Sequence, residues 1–128
     1  MRRILLLLLF SSVLISCKDD DKEDRGYLTN VQNVKNGIIG TWESTVGGKW
    51  YTVYNVDGTT CSGLYPDKDW DSCTKYEILK SGTDYIIHRY YVGSDTGYSI
   101  WKIITLNEKV LEMKEVNGDR YFRDMRIK

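Results

Sequence analysis

Histidine is almost absent from this chain of 128 residues, and the absence limits the chemistry that the protein can perform. The single histidine, His88, excludes a zinc site with several histidine ligands, and no serine or cysteine nucleophile accompanies it to form a catalytic pair. Net charge is absent too, because 18 basic residues balance 18 acidic ones, which argues against nucleic acid as a partner. No metal-ligand cluster or phosphate-binding loop is apparent either, so we expect a protein that is not an enzyme and needs no cofactor.

The sequence also predicts no long helix. From Gly26 onward no segment keeps a 3.6-residue apolar period over three turns, and residues 27–36 leave room for one helical turn around Val31 and Val34. Proline occurs once, at Pro66, whereas the chain has 11 glycines, 10 tyrosines and 4 tryptophans. This composition is typical of β-strands joined by turns.

Eight segments with strand composition follow one another, each bounded by turn residues such as Asp57-Gly58. Their short connections require antiparallel pairing of sequential strands, and a meander of eight strands can remove its exposed edges by closing on itself. We therefore predict an all-β fold, an eight-stranded antiparallel up-and-down barrel, with an open antiparallel β-sandwich as the alternative. The predicted strands are residues 38–46, 49–56, 59–64, 74–80, 84–92, 98–106, 110–116 and 119–127.

The N-terminus combines Arg2 and Arg3 with an apolar run over residues 4–15 that is too short to span a bilayer comfortably. The run ends in Leu14-Ile15-Ser16-Cys17, which resembles the lipobox of bacterial lipoproteins. This resemblance implies that residues 1–16 are a signal peptide and that Cys17 carries the lipid. Residues 17–36 would then be the lipidated cysteine with a flexible charged tether, and residues 37–128 the barrel domain.

Residues 18–25 are an unbroken run of charge, which cannot bury itself and stays solvated. One interpretation is a spacer that lifts the domain off the lipid headgroups. The run also looks like the acidic surface-export tag of some Gram-negative lipoproteins. That resemblance implies a lipid-anchored location in the outer membrane, on the cell surface.

Cysteines are scarce, and their number fits this location. If Cys17 carries lipid, Cys61 and Cys73 remain as a pair that would oxidise outside the cytoplasm. A disulfide closing a loop of about a dozen residues stabilises by on the order of 3 kcal/mol. Two free thiols, or half of a metal site, are the alternatives.

Several short motifs together look like bacterial lipocalin-like lipoprotein domains, and they extend over residues 38–127. They are Gly40-Thr41-Trp42, the hairpin from Tyr54 to Thr59, and Leu106 with Leu111 and Met113. The resemblance implies that Trp42 plugs the closed end of the barrel beneath a basic residue of the last strand, Arg123 or Arg126. Such a cation–π stack contributes on the order of 1 kcal/mol.

Aromatic side chains on different strands are the candidate ligand contacts, because they offer flat apolar area with a polar tip. A small hydrophobic ligand or a glycan is the expected class, and simple filling of the barrel interior is the alternative. The candidates are Trp50, Tyr54, Tyr76, Tyr90, Tyr91, Tyr98 and Trp101.

The connection over residues 65–72 contains Trp70 and is tied at its base by the cysteine pair, which makes it a candidate contact surface for a partner. Its alternating Asp67, Asp69 and Asp71 lack the glycine and glutamate that complete an EF-hand, although an irregular calcium site stays open.

Ser81-Gly82-Thr83-Asp84-Tyr85 resembles the loop with which membrane-bound lysozyme inhibitors plug an active site. The resemblance implies that Ser81 and Tyr85 enter an enzyme's cleft. The sequence therefore predicts a lipid-anchored binding or accessory module, with an enzyme inhibitor or protein-interaction module as the alternative.

Overall fold

The computed structural model describes residues 26–68 and 70–128, and it confirms the predicted closed barrel. The predicted signal peptide, Cys17 and the charged run after it lie outside the described residues. One helix, α1 (Val31–Ile38), precedes eight antiparallel strands. The strands are β1 (Gly40–Ser44), β2 (Tyr51–Tyr54), β3 (Thr59–Gly63), β4 (Ser72–Ser81), β5 (Asp84–Tyr90), β6 (Tyr98–Leu106), β7 (Val110–Glu115) and β8 (Tyr121–Arg126).

Each strand pairs with its neighbour in sequence, and β1 also pairs with β8, with Trp42 opposite Arg126. This last pairing closes the sheet and rules out the open sandwich. Because successive strands run in opposite directions, their connections alternate between the two ends of the barrel. We name the end with the β1–β2, β3–β4, β5–β6 and β7–β8 connections the open end, and the other the closed end.

The closed end is covered by α1. Asn30 caps the helix, since its side-chain oxygen accepts a hydrogen bond from the backbone N–H of Asn33 at 2.8 Å. Val34 and Ile38 are fully buried, and Leu28 joins the same core. The folded domain therefore begins before residue 37, where the sequence placed its start. The helix has two turns instead of one, too few to display a period over three turns.

A tryptophan–arginine stack lies beneath the helix. Trp42 is 0% exposed, and its indole N–H donates to the carbonyl of Ile38 at 3.0 Å. The guanidinium of Arg126 lies 4.2 Å from the centre of the Trp42 ring and donates to the carbonyls of Gly37 and Ile39. Arg126 is thus the cation at this position. Arg123 lies three positions before Arg126 on β8. Because successive side chains of a strand point to opposite faces, Arg123 points out of the barrel and is exposed.

The predicted disulfide between Cys61 and Cys73 is confirmed, and it joins directly opposite residues of β3 and β4. Beyond it the β3–β4 connection runs toward the C-terminus, where Asp67 forms an ion pair with Lys128. No helix among the described residues is long and apolar enough to cross a membrane.

Candidate functional site

The interior of the barrel has two chemically different halves. Alternate residues of each strand point inward, so the register fixes which side chains meet. Toward the closed end the inward residues are large and apolar, and toward the open end they are polar. The buried residues of the closed half are Trp42, Tyr54, Tyr76, Ile78, Tyr85, Ile87, Ile103, Leu106, Leu111 and Met113.

Two adjoining cavities at the open end form what we call the mouth. The larger has a volume of about 250 Å³ and the smaller of about 70 Å³. They share Ser62, Arg89 and Phe122. The larger is lined by Thr60, Ser62, Ser72, Thr74, Arg89, Tyr90, Tyr91, Val92, Ser99, Trp101, Arg120 and Phe122, and the smaller by Ser44, Trp50, Thr52, Ser62, Arg89, Phe122 and Asp124.

Arg89 is the central cation of the mouth. Strand alternation places it on the inward face of β5, two residues after the buried Ile87. Its guanidinium forms neither an ion pair nor a side-chain hydrogen bond with any other described residue. An arginine carries five N–H donors and normally engages several of them, so Arg89 is available to a ligand that accepts hydrogen bonds.

Asp124 is the buried acid of the mouth. Burial raises the pKa of its carboxyl to about 6, and the positive charge of Arg89 partly opposes this rise. Its Oδ1 atom is buried without a hydrogen-bond partner among the described residues. The carboxyl is therefore partly protonated near neutral pH and can either accept or donate a hydrogen bond.

Two hydroxyls complete the set of unpartnered groups. Tyr54 Oη and Thr60 Oγ1 are buried without partners among the described residues, and the two residues lie opposite each other on β2 and β3. Burial raises the pKa of Tyr54, and the charges of Arg89 and Asp124 influence the same hydroxyl. The unpartnered polar atoms of the described residues therefore gather where the apolar half ends and the mouth begins.

An aromatic wall borders the larger cavity. The rings of Trp101 and Phe122 stack with centres 5.0 Å apart, and the Arg120 guanidinium lies 5.0 Å from the centre of the Trp101 ring. Glu115 holds Arg120 through two hydrogen bonds, of 2.8 and 3.2 Å, and this interaction lowers the pKa of Glu115. Arg120 is therefore engaged with a carboxylate and an aromatic face, unlike Arg89.

The predicted ligand-contact aromatics separate into two groups. Trp50 and Trp101 line the mouth, and Tyr91 joins them. Tyr54 lies beneath the mouth in the core, where it forms an edge-to-face contact with Tyr76 at 5.1 Å.

Of the other predicted contacts, only Tyr90 reaches the mouth. The hydroxyl of Tyr76 donates to the carbonyl of Asn55 at 2.9 Å, and burial raises its pKa to about 12. Tyr90 borders the larger cavity, but its hydroxyl donates to Glu77. Tyr98 stacks on His88 outside the mouth with ring centres 4.2 Å apart. Trp70 lines neither cavity.

The inhibitor-type loop does not have the geometry that its motif implies. Ser81 ends β4 and is exposed, but Tyr85 is only 3% exposed and belongs to the core. The expectation that Tyr85 enters an enzyme's cleft is therefore wrong. The physical reason is strand alternation, which directs Tyr85 inward together with Ile87.

Sequence reasoning missed the charged residues of the mouth, above all the inward-pointing pair Arg89 and Asp124. The signal that could have found them is parity, because Arg89 alternates with Tyr85 and Ile87, and Asp124 with Phe122. A charged residue in register with buried neighbours indicates an inward polar site. Several strand segments carry apolar residues on both faces, so the sequence does not show which positions point inward.

Two further depressions lie outside the barrel near the closed end. One, of about 320 Å³, runs between α1 and β4, and the other, of about 350 Å³, lies beside Leu28 and Tyr85. Each is larger than either cavity of the mouth taken alone, but neither is lined by a residue that carries one of the buried unpartnered polar atoms found among the described residues. No group of three or more metal-ligating side chains occurs in the described part of the chain. The mouth is therefore the candidate site.

Comparisons with family models, curated proteins and solved structures found no significant match to this chain. The geometry of the mouth is accordingly the basis on which function is argued.

Proposed function

We propose that this protein is a lipid-anchored, non-catalytic binding module that holds a small polar ligand in the mouth of its barrel. The observation that carries the proposal is the convergence of unpartnered polar groups in one place. Arg89, Asp124 and Thr60 line the mouth, and Tyr54 lies beneath it in the core. Oδ1 of Asp124, Oη of Tyr54 and Oγ1 of Thr60 have no partner among the described residues. A ligand with both donors and acceptors would supply the missing partners.

The energetic cost of these groups supports a binding role. A buried polar atom without a partner destabilises a fold by about 1–3 kcal/mol, and apolar side chains of similar shape would avoid that loss. The closed half of this same barrel is filled with such apolar side chains. Polar groups that weaken a fold are typical of sites that bind or react.

The filled closed half also supports a polar ligand. Trp42, Tyr54, Leu106 and Leu111 are almost completely buried and occupy the space in which a lipocalin-like barrel would hold a hydrophobic molecule. The available volume is lined by hydroxyls and charges instead. Of the two classes expected from the sequence, a small hydrophobic ligand or a glycan, this lining favours the polar one.

The anchor is proposed from the lipobox-like tetrad before Cys17, and the path of the chain is compatible with it. The backbone enters the fold at the closed end, where the N–H of Tyr27 donates to the carbonyl of Leu106 at 2.8 Å. A tether attached there leaves the mouth on the far side of the barrel from the outer membrane. We propose that the open end faces outward from the cell surface.

The binding proposal is tested by thermal unfolding of the full chain in a panel of small polar compounds. A ligand that binds only the native state raises the melting temperature, and the stabilisation grows with the logarithm of one plus its concentration over Kd. The wild type should respond to at least one compound, and Arg89→Met should not. Arg123→Met is the matched control, because it makes the same chemical change on the outer face of β8, and it should respond like the wild type. Equal responses of wild type and Arg89→Met would contradict the proposal.

The anchor is tested separately through Cys17→Ser. The wild-type protein should partition into the detergent phase and carry acyl chains detectable by mass spectrometry. The variant should remain unacylated and partition into the aqueous phase. An unmodified Cys17 thiol in native material would contradict the anchor without affecting the mouth.

A further inference from the structure

We infer that the mouth binds the terminal sugar unit of a glycan chain, an inference that rests on the binding function proposed above and names its ligand class. Three independent features of the mouth lead to this class: its mixture of donors and acceptors, its aromatic surfaces, and its shallow depth. Each excludes a different alternative ligand.

The first feature is the chemistry of the lining. Arg89 can only donate hydrogen bonds, whereas an ionised Asp124 can only accept them. Above pH 6, where most of Asp124 is ionised, a fatty acid offers it no donor, and its negative charge repels a simple anion. Vicinal hydroxyls can do both, with one accepting from the guanidinium while its neighbour donates to the carboxylate. Seven serine and threonine side chains line the rest of the mouth: Ser44, Thr52, Thr60, Ser62, Ser72, Thr74 and Ser99.

The second feature is aromatic surface in contact with solvent. Trp50 is 40% exposed and Tyr91 is 55% exposed, and they border the smaller and the larger cavity respectively. Trp101 and Phe122 form the stacked wall between the mouth and the core. A sugar ring has C–H faces as well as hydroxyl edges, so it can lie against an aromatic ring while its edge bonds to polar groups. Acyclic amino acids and small dicarboxylates lack such a ring face.

The third feature is depth. The cavities measure about 250 and 70 Å³, at or below the lower end of the range for small-ligand sites. Below them the interior is closed by Tyr54, which is 1% exposed, and by the rest of the core. A glycan cannot thread through the barrel and can only present its end. The following sugar units then extend over the outer edge of the mouth, where Trp50 and Tyr91 are exposed. We call this edge the rim.

Isothermal titration calorimetry of the full chain in detergent provides the test, with two probe panels. One panel contains methyl glycosides of neutral, N-acetylated and uronic sugars, the linear tetrasaccharides of each, and a cyclic oligosaccharide that has no chain end. The other contains amino acids, dicarboxylates and fatty acids. We expect a methyl glycoside to bind, its linear tetrasaccharide to bind about five- to tenfold more tightly because of the rim, and the cyclic compound not to bind.

Variants assign these effects to the mouth. Arg89→Met should abolish binding of both the glycoside and the tetrasaccharide, whereas Arg123→Met should leave both unchanged. Trp50→Ala should remove the gain from chain length and retain glycoside binding. Trp70→Ala is its matched control, because Trp70 lines neither cavity, and it should preserve the gain. Circular dichroism of each variant verifies that the barrel is intact.

The outcomes separate the inference from the function on which it rests. Binding of a non-sugar probe that depends on Arg89, with no sugar bound, would overturn the glycan assignment and leave the binding module standing. Binding of the cyclic compound as tightly as the linear one would overturn recognition of the chain end. If no compound of either panel binds, or if Arg89→Met does not affect sugar binding, both the glycan inference and the proposed binding function would be overturned.

Discussion

The two ends of this barrel use the same strands for opposite purposes. At the closed end Arg126 is stacked on Trp42 and bonded to backbone carbonyls, so its charge is fully engaged. At the open end Arg89 points into the same barrel with no protein partner among the described residues. Arg126 therefore contributes to the stability of the fold, whereas no described residue uses the guanidinium donors of Arg89.

The comparison is sharpest for the aromatic anchors of the two ends. Trp42→Ala should lower the free energy of unfolding by about 4 kcal/mol, because it removes a fully buried ring and the surface on which Arg126 stacks. Trp50→Ala should lower it by less than about 1 kcal/mol, because Trp50 is 40% exposed and lies outside the packed core. Urea unfolding followed by circular dichroism measures both values. Equal losses would contradict the division of roles.

Glycines with positive φ angles give a second matched pair. A Cβ on Gly40 would lie 2.5 Å from Arg126 Nη1 and 2.6 Å from the carbonyl oxygen of Lys128, whereas a Cβ on Gly48 in the β1–β2 connection meets nothing within 4 Å. Both alanine variants incur backbone strain of about 1 kcal/mol, and only Gly40→Ala adds overpacking. We expect losses of about 3 and about 1 kcal/mol by urea unfolding. A larger loss for Gly48→Ala would show that the open end is the tighter one.

The raised pKa of Asp124 predicts how the free energy of unfolding changes with pH. Its pKa of about 6 lies above that of a carboxyl in an unfolded chain, so the folded state holds the proton more tightly. Stability from this group is therefore present below about pH 4 and is lost as the pH rises to about 6, amounting to about 2 to 3 kcal/mol. Asp124→Asn should remove this loss. The difference in unfolding free energy between variant and wild type, measured from pH 4 to 8, isolates the group, and a difference that does not change with pH would contradict it.

The smallest expected effect on stability is that of Arg89→Met. Measured at pH 5, where Asp124 is mostly protonated, the variant should unfold within about 1 kcal/mol of the wild type, because no protein hydrogen bond is removed. Arg126→Met should lose more, since the three backbone carbonyls of Gly37, Ile39 and Glu108 lose their donor. Guanidinium unfolding of the two variants side by side makes the comparison. A loss for Arg89→Met as large as that for Arg126→Met would place Arg89 among the structural residues.

The architecture could be predicted from sequence because short connections between strand-like segments leave few topologies open. Turn residues such as Asp57-Gly58 marked the hairpins, and the cysteine pair proved to be directly opposite across β3 and β4. The helix could not be predicted in full, because its stability comes from packing Val34 and Ile38 on the barrel and not from a long periodic pattern.

The mouth was harder to predict than the barrel. Tyrosines are abundant on both faces of the strands, and composition alone does not separate Tyr54, which points inward, from Tyr51, which bonds to Glu43 at 2.9 Å on the outer face. Arg89 and Asp124 meet only through the closure of the sheet, which brings β5 and β8 to one cavity. Such a meeting depends on register across the whole barrel, and no local motif carries that information.

Four tryptophans distributed over the molecule offer the most direct measurement. Their indole N–H groups give separate nitrogen–proton NMR signals, with Trp50 and Trp101 at the mouth, Trp42 at the closed end, and Trp70 lining neither cavity. Titration with a compound that raises the melting temperature should shift the signals of Trp50 and Trp101 and leave those of Trp42 and Trp70 in place. Shifts of Trp42 or Trp70 alone, with Trp50 and Trp101 unmoved, would contradict a ligand site at the open end.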